Sequence, residues 1–296
     1  MWECGKPVRF SIFPCPGARG KRGGDFLLEP PLAALFGSPF PPSRPQAFPA
    51  AADFLFATFS FGGVRMAMDQ QVAMERLRES YQEKNEHLEK FLEPVTPFEF
   101  YREIFPVGSF ERKGHFEDAK GNGIAVTVPK AAGIALEIEG DGKAKRYTIT
   151  DELSELSKVF DTDFTIMSPI SYFGRRRCGK NARYLYALVF DVDGVGMPQL
   201  RDTLHQMNKD ILPQATFVVN SGTGLHLYYV LEEPIPMYPH NQKCLKELKY
   251  ALTRQIWNRY TSTIKEPQMQ GILQGFRVVG SGSKLGREYP VKAYRL

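Results

Sequence analysis

Residues 188–194 read Leu-Val-Phe-Asp-Val-Asp-Gly, and this stretch decides how the rest of the chain is interpreted. The apolar run that leads into it from Tyr184 predicts a buried β-strand. Because side chains alternate along a strand, Asp191 and Asp193 lie on the same face. Two carboxylates so close are costly unless a cation sits between them, which predicts a Mg²⁺ or Mn²⁺ site. The alternative is a solvated strand end in which Asp193 and Gly194 make a turn.

A second segment, residues 219–229, reads Val-Asn-Ser-Gly-Thr-Gly-Leu-His-Leu-Tyr-Tyr. It predicts a strand, a tight turn and a returning strand. Gly222 and Gly224 allow backbone N–H groups to converge on an anion such as a phosphate. On the returning strand, His226 shares a face with Tyr228. The alternatives are an ordinary hairpin loop and a structural histidine.

A third segment, residues 274–284, reads Gln-Gly-Phe-Arg-Val-Val-Gly-Ser-Gly-Ser-Lys. We expect a strand over residues 272–279, followed by a Gly/Ser loop. Arg277 and Lys284 flank small residues, an arrangement that suits a polyphosphate. A solvated surface loop is the alternative when the segment is taken alone. The three segments each lie at a strand end, which favours one shared site.

In this order, the three segments resemble motifs I, II and III of the archaeo-eukaryotic primase (prim-pol) superfamily, in particular replication proteins of plasmids, phages and other mobile elements. The resemblance runs from about residue 100 to the C-terminus. It implies an α+β fold in which an RRM-like primase palm, with a mixed or antiparallel sheet and helices, packs with an N-terminal α/β module. It also implies a primase-polymerase that uses nucleoside triphosphates and a single-stranded or primed DNA template.

The resemblance implies roles for individual residues. The catalytic set would be Asp191, Asp193 and His226, with the two aspartates binding the metal. The residues that would contact the triphosphate come from the second and third segments: Ser221, Gly222, Gly224, His226, Arg277, Ser281 and Lys284.

One departure from the family pattern concerns the third carboxylate that proficient relatives carry just before the arginine of motif III. Here that stretch holds Gln268, Gln270 and Gln274. Glu266 is the only acid between residues 257 and 286, and it is the candidate third metal ligand. Otherwise the protein binds nucleotide and DNA without fast synthesis.

Two other functions stay open. Residues 190–195 also resemble the opening motif of haloacid-dehalogenase-type phosphatases, in which Asp191 would be the nucleophile and Asp193 the general acid. That fold needs a further acidic pair at a strand end, and Glu232 and Glu233 instead continue a strand. The second alternative is a non-catalytic DNA-binding replication initiator on a degenerate palm.

A basic loop before the acidic strand supports DNA binding. Its cations would contact phosphates, and neighbouring aromatic side chains would stack on bases. A solvated loop is the alternative. The predicted DNA-binding residues are Arg175, Arg176, Arg177 and Lys180.

The chain divides into three parts by composition. Residues 1–65 are rich in Pro, Gly and Phe without a regular period, so we expect a disordered or mis-annotated extension, with translation starting at Met66 or Met68. Residues 66–95 predict an amphipathic helix and a linker at Glu93 and Pro94. Residues 96–296 form the catalytic-type domain, which ends within an apparent strand and so is expected to continue. The apolar stripe of the helix is predicted at Met74, Leu77, Tyr81, Leu88 and Phe91.

Composition excludes little. The net charge is +5, but residues 1–65 hold seven Lys or Arg against four acids, so bulk charge gives no argument for nucleic acid. No run approaches the roughly 18 apolar residues of a membrane span, so no membrane association is expected. The cysteines show no paired spacing, which favours a reducing cytoplasm. A fused or separate helicase partner is left open.

Overall fold

The computed structural model describes residues 61–110, 131–138, 144–160, 162–173 and 177–296. Of these, residues 71–296 belong to one compact unit and residues 61–70 to another. Arg175 and Arg176 lie outside the described residues, as does most of the N-terminal extension. Only residues 61–65 of that extension are described, as the start of a helix.

The described part contains four α-helices: α1 (Phe61–Phe91), α2 (Pro97–Ile104), α3 (Met197–Asn208) and α4 (Pro239–Ile256). Short 3₁₀ helices lie at Ser154–Val159 and Gly179–Asn181. The strands of the described part are β1 (Glu93–Val95), β2 (Ala131–Ile138), β3 (Ala144–Ile149), β4 (Thr165–Met167), β5 (Ile170–Phe173), β6 (Ala182–Val192), β7 (Phe217–Asn220), β8 (Leu225–Pro236), β9 (Phe276–Arg277), β10 (Gly282–Ser283), β11 (Gly286–Pro290) and β12 (Lys292–Arg295).

Helix α2 begins where the residues Thr96-Pro97-Phe98-Glu99 predict, since they offer an N-cap threonine, a proline at the first helical position and a glutamate at N3. The Thr96 hydroxyl accepts a hydrogen bond from the Glu99 backbone N–H at 3.3 Å, and the Glu99 carboxylate accepts one from the Thr96 N–H at 2.8 Å. Pro97 occupies the first turn, where its missing N–H costs nothing. This reciprocal capping box satisfies two N–H groups that a helix start would otherwise leave unpaired.

Several local predictions were wrong. In α1, Tyr81 and Leu88 are buried, but Met74, Leu77 and Phe91 are exposed, so the apolar stripe is covered only over its middle part. The predicted linker at Glu93 is strand β1, which pairs with β12. The strand expected over residues 272–279 is reduced to the two residues of β9.

Ten strands form one sheet, and every strand pair in the described part is antiparallel. Its order is β1-β12-β7-β8-β6-β5-β2-β4-β9, with β3 also paired to β2. Strands β10 and β11 form a separate hairpin. The fold is therefore α+β with an antiparallel sheet, as the sequence predicts.

The sheet divides after Tyr186, so the end of β6 and strand β9 are not paired with each other. Strands β4 and β5 follow one another along β2. Strand β6 pairs with β5. The last hydrogen bond between β6 and the segment formed by β4 and β5 runs from the Tyr186 N–H to the Pro169 carbonyl at 2.9 Å. Beyond that point β9 pairs with β4 instead. The second half of β6, which carries Asp191, and β9, which carries Arg277, therefore diverge from a common line.

An irregularity at the start of this divergence sets which way β6 presents its side chains. The register between β6 and β8 shifts between Leu185 and Ala187. Next to this shift, Tyr186 and Ala187, which are neighbours in the chain, both pack in the same core cluster. The alternation of side chains between the two faces is therefore interrupted at this point of β6.

Helices cover both faces of the sheet. One core cluster joins Leu188 and Phe190 of β6 to apolar residues of α1, α3 and α4. The other joins Ala187 and Val189 of β6 to Phe100 of α2 and to apolar residues of β7, β8 and β9. Within the described residues, no helix is long and apolar enough to cross a membrane.

Leu227 lies on the central strand β8 and is fully buried in the first cluster. We expect Leu227→Ala to lower the free energy of unfolding by about 2–5 kcal/mol, because it removes packed methyl groups and leaves a cavity. Ile211→Ala removes a mostly exposed side chain and should change it by no more than about 0.5 kcal/mol. Urea unfolding followed by circular dichroism measures both, and equal effects would contradict the assignment of this core.

Candidate functional site

The two predicted metal ligands lie at the end of β6. Asp191 is the last but one residue of the strand, and Asp193 directly follows it. Their side chains are 23% and 20% exposed, so both carboxylates reach solvent. Asp191 continues the face of Ala187 and Val189, which is the face toward β9. This geometry is consistent with the prediction that both acids lie on one face at a strand end.

His226 lies directly across from Asp191. The two residues are partners in the register of β6 and β8, and His226 Nε2 lies 3.4 Å from Asp191 Oδ1. The imidazole is only 3% exposed, and its Nδ1 has no hydrogen-bond partner among the described residues. Burial lowers the pKa of His226, while the Asp191 carboxylate opposes that shift. A neutral imidazole that donates from Nε2 would hold the Asp191 carboxylate in place.

Two cations complete the cleft. Lys284 Nζ lies 3.3 Å from Asp193 Oδ1. Arg277 stacks over the Phe164 ring at 4.2 Å and donates to the Gly282 carbonyl at 3.2 Å. Burial lowers the pKa of Arg277, and the negative charge of Asp191 raises it. The charges of Arg277 and Lys284 in turn lower the pKa of His226. Side chains from three separate segments of the chain therefore converge on one cleft.

The glycines of the second segment are required by close approach as well as by turn geometry. A Cβ at Gly224 would lie 2.6 Å from the Val192 carbonyl oxygen and 3.3 Å from the Asp193 Cα, so no side chain fits there. Gly222 has φ +112°, and its Cβ position would lie 3.2 Å from Ser283. The turn thus packs directly against the acidic strand end and against the loop that carries Lys284.

The edge of β6 that faces away from β8 is closed by a side chain. The Gln270 amide donates to the Asp191 carbonyl at 2.8 Å and accepts from the Asp191 N–H at 3.1 Å. It pairs with the backbone as a neighbouring strand would. Ser262 donates to the Asp193 carbonyl at 2.6 Å, and Thr263 donates to the Gly194 carbonyl. These contacts fix the backbone that carries both acids.

Sequence reasoning missed Lys249, which enters the cleft from α4. Lys249 is 1% exposed, and its Nζ donates to the Gly271 carbonyl at 3.3 Å and lies 5.1 Å from the centre of the Phe276 ring. Burial lowers its pKa to about 7, and the charge of Asp191 opposes that shift. The helical pattern around residue 249 predicts a solvated lysine, so no sequence feature marks it.

The donor set fits a magnesium-type ion in part. Mg²⁺ in nucleotide enzymes is commonly held by one or two carboxylates together with substrate phosphates and water. Asp191 and Asp193 supply that number, and each carboxylate has one oxygen that contacts a neighbouring side chain and a second oxygen for which the described residues supply no partner. Within the same residues, no group of three or more His, Cys, Asp or Glu is arranged to hold a metal.

Other predicted site residues lie elsewhere or are engaged. Glu266 is exposed and belongs to no metal-binding group in the described residues, so the geometry gives it no support as a third ligand. Ser281 is fully buried, and its hydroxyl donates to the Val278 carbonyl at 2.8 Å. Ser221 is buried at the base of the glycine turn, where its N–H donates to the Gly224 carbonyl.

The two predicted DNA-binding residues that the structure describes differ in their exposure to solvent. Arg177 is half-buried, and its Nη1 lies only 2.1 Å from where a Cβ at Gly275 would stand, so a side chain at Gly275 would displace the guanidinium. Lys180 is exposed in the 3₁₀ helix before β6. Arg177 thus packs beside the approach to β9, while Lys180 faces solvent.

Comparison with known proteins gives limited information. No family model and no curated protein matches the chain. Among solved structures, the chain is similar to the AEP domain of the cyanophage S-2L primase-polymerase (PrimPol), with 13% sequence identity and a TM-score of 0.38. The match covers 56% of this chain and 80% of that domain. Since the two folds correspond loosely, the chemistry of this chain has to be inferred from its own residues.

Lys249 gives the folded protein a distinctive pH dependence. Between the folded pKa of about 7 and the ordinary value of 10.5, the unfolded chain binds more protons at this group than the folded chain does. Lys249 therefore lowers the free energy of unfolding most below pH 7, and this penalty shrinks as the pH rises toward 10.5. We expect Lys249→Met to be more stable than the wild type at pH 7, and this advantage to shrink at pH 9.5.

Urea unfolding of both proteins at the two pH values measures the effect. Lys246→Met is the matched control, because Lys246 is exposed on the same helix and should show no pH-dependent difference. A difference for Lys249→Met that stays constant with pH would contradict the lowered pKa.

Proposed function

We propose that this chain is a primase-polymerase-like replication protein that carries out metal-dependent nucleotidyl transfer on a DNA template. One observation carries the proposal: Asp191 and Asp193 form one cluster of charged side chains with His226, Arg277 and Lys284, which come from separate strands and loops. Paired carboxylates suit divalent cations, and the cationic side chains suit a triphosphate. Together they match the requirements of phosphoryl transfer, in which positioning and charge neutralisation do most of the work.

The triphosphate would bind between the glycine turn and the loop after β9. Arg277 offers a planar fork for phosphate oxygens, and its hydrogen bond to Gly282 and its stacking on Phe164 hold that fork in place. Lys284 is half-exposed and is free to exchange Asp193 for a phosphate oxygen. The backbone N–H groups of the turn would supply further donors.

Asp191 and Asp193 would hold Mg²⁺ or Mn²⁺, which when bound would polarise the phosphate and favour the ionised form of the attacking hydroxyl. His226 orients Asp191 from its buried position across the strand pair. The oxygen of a primer 3′ hydroxyl, or of the initiating nucleotide, would form the new bond to the α-phosphorus. The bond to the β-phosphate bridging oxygen would break, and pyrophosphate would leave.

The template would be single-stranded or primed DNA, and the exposed Lys180 is the described residue of the basic loop best placed to meet its phosphates. As the motif resemblance implies, the fold would consist of an RRM-like palm and an N-terminal α/β module. The protein would come from a plasmid, phage or other mobile element. A helicase, fused or separate, would be the natural partner of such a protein.

A second candidate function is a DNA-binding replication initiator that does not synthesise. It is favoured by the lack of a third carboxylate near Asp191 and Asp193 among the described residues. Gln270, which stands in the stretch where the family places that carboxylate, instead hydrogen-bonds the backbone of Asp191. The two functions differ in whether the wild type extends a primer.

Asp191→Asn keeps the side-chain volume and removes the charge. We expect template-dependent extension of a labelled primer to fall at least about a hundredfold, because several kcal/mol of transition-state stabilisation are lost. Glu266→Gln is the matched control and should retain full activity, since Glu266 lies outside the cleft.

Three other results would contradict the proposal. Absence of synthesis by a wild type that still binds DNA would favour the initiator. Release of phosphate from an aryl phosphate, lost in Asp191→Asn, would favour the phosphatase. Full activity of Asp191→Asn would remove Asp191 from the site.

A further inference from the structure

Helix α1 reaches the candidate site through a buried lysine. Lys84 is 1% exposed, and its Nζ donates to the Gly222 carbonyl at 2.7 Å and to the Val195 carbonyl at 3.2 Å. Gly222 belongs to the glycine turn, and Val195 lies just after the acidic strand end. One ammonium group therefore links the two loops that border the cleft.

The same two loops also meet on the side of Gly224. No Cβ fits there, because the Val192 carbonyl and the Asp193 backbone and carboxylate lie against that position. The spacing between the glycine turn and Asp193 is therefore set by a close backbone contact and by the two hydrogen bonds of Lys84. Loss of either would allow the loops to separate.

Neighbouring residues of α1 support the same turn. The Asn220 side chain donates to the Asn85 side chain at 2.9 Å and to the Tyr81 carbonyl at 3.2 Å, while its own oxygen accepts from the Gly222 N–H at 3.2 Å. The orientation of the Gly222 peptide is thus controlled from both sides, its carbonyl by Lys84 and its N–H by Asn220.

Helix α1 also holds the hairpin that carries Lys284. The Tyr81 hydroxyl donates to the Pro290 carbonyl, and its ring packs edge-on against Tyr289 with centroids 5.5 Å apart. Arg78 lies over the same ring of Tyr289 at 5.4 Å. Helix α1 therefore contacts the glycine turn, the residue just after the acidic strand end and the hairpin that carries Lys284.

A buried ammonium group is an expensive way to fill this position. Burial disfavours the charged form and lowers the pKa of Lys84 to about 8, and no carboxylate compensates for it in the described residues. An apolar side chain would satisfy the packing of α1 at lower cost. What an apolar side chain cannot do is supply donors to two carbonyl groups at once.

We propose that Lys84 is a positioning residue that fixes the turn at residues 221–224 relative to Asp193, in the conformation that receives the triphosphate. It acts through the Gly222 and Val195 carbonyls and does not touch the nucleotide. The inference rests on the proposed function for the identity of the ligand, whereas the positioning itself is a property of the fold.

The test compares Lys84→Met with Leu88→Ala in the full chain. Lys84→Met keeps the buried stem and removes the donors. Leu88→Ala weakens the packing of the same helix, since Leu88 is fully buried, and leaves both hydrogen bonds of Lys84 in place. The first measurement is hydrogen exchange of peptides covering residues 193–197 and 219–225, which requires no activity.

We expect both peptides to exchange faster in Lys84→Met and to remain close to the wild type in Leu88→Ala. The second measurement is primer extension with varied nucleoside triphosphate. In Lys84→Met, KM for the nucleotide should rise about tenfold or more, as expected for lost hydrogen bonds to a charged donor, with a smaller change in kcat. Lys84→Arg, which keeps a charged donor, should recover part of the lost affinity.

The outcomes separate the two proposals. Unchanged exchange in both peptides of Lys84→Met would overturn the positioning role, whatever the activity. An equal rise in KM for Leu88→Ala at a similar melting temperature would show that Lys84 acts only through stability. If the wild type neither bound nucleotide nor extended primers, the proposed function would fail. Faster exchange in Lys84→Met than in the wild type would still support the positioning role.

Discussion

The pairing of Asp191 with His226 across β6 and β8 is the constraint on which the rest of the cleft depends. A slip of β8 by one residue would send His226 to the face opposite Asp191, so the register decides whether the two side chains meet. This register runs from the irregularity between Leu185 and Ala187. At its other end, Gly224 fits tightly against Val192. Once it is set, the positions of the glycine turn and of Asp193 follow.

Around this pair the fold buries several basic side chains. Burial lowers the pKa of Lys84, Lys249, Arg277 and His226. A sequence selected for stability alone would replace such groups with apolar ones. Their concentration about two mostly buried carboxylates is the pattern expected where charge has to be arranged for binding or chemistry. The structure thus combines a well-packed sheet with a cluster of buried basic side chains around Asp191 and Asp193.

Sequence patterns predicted the parts of this molecule that depend on local chemistry. The capping box at Thr96, the acidic strand and the turn with its returning strand could each be inferred from a few neighbouring residues. The pairing of Glu93 with Arg295, the contacts of Lys84 and Lys249 and the bonding of Gln270 depend on residues far apart in the chain, so no local pattern marks them. Exposed residues of α1 were assigned to the core because periodicity shows a face but not whether anything covers it.

The outer borders of the sheet carry a consequence for how copies of the chain behave together. An unpaired strand is a template on which another polypeptide can add. Here one border is β1, only three residues long with Pro94 at its centre, and another is the two-residue β9. Strand β3 is longer but carries Lys145 and Arg146. At the borders of the described part of the sheet, proline, short length and positive charge therefore each discourage the addition of a strand from another molecule.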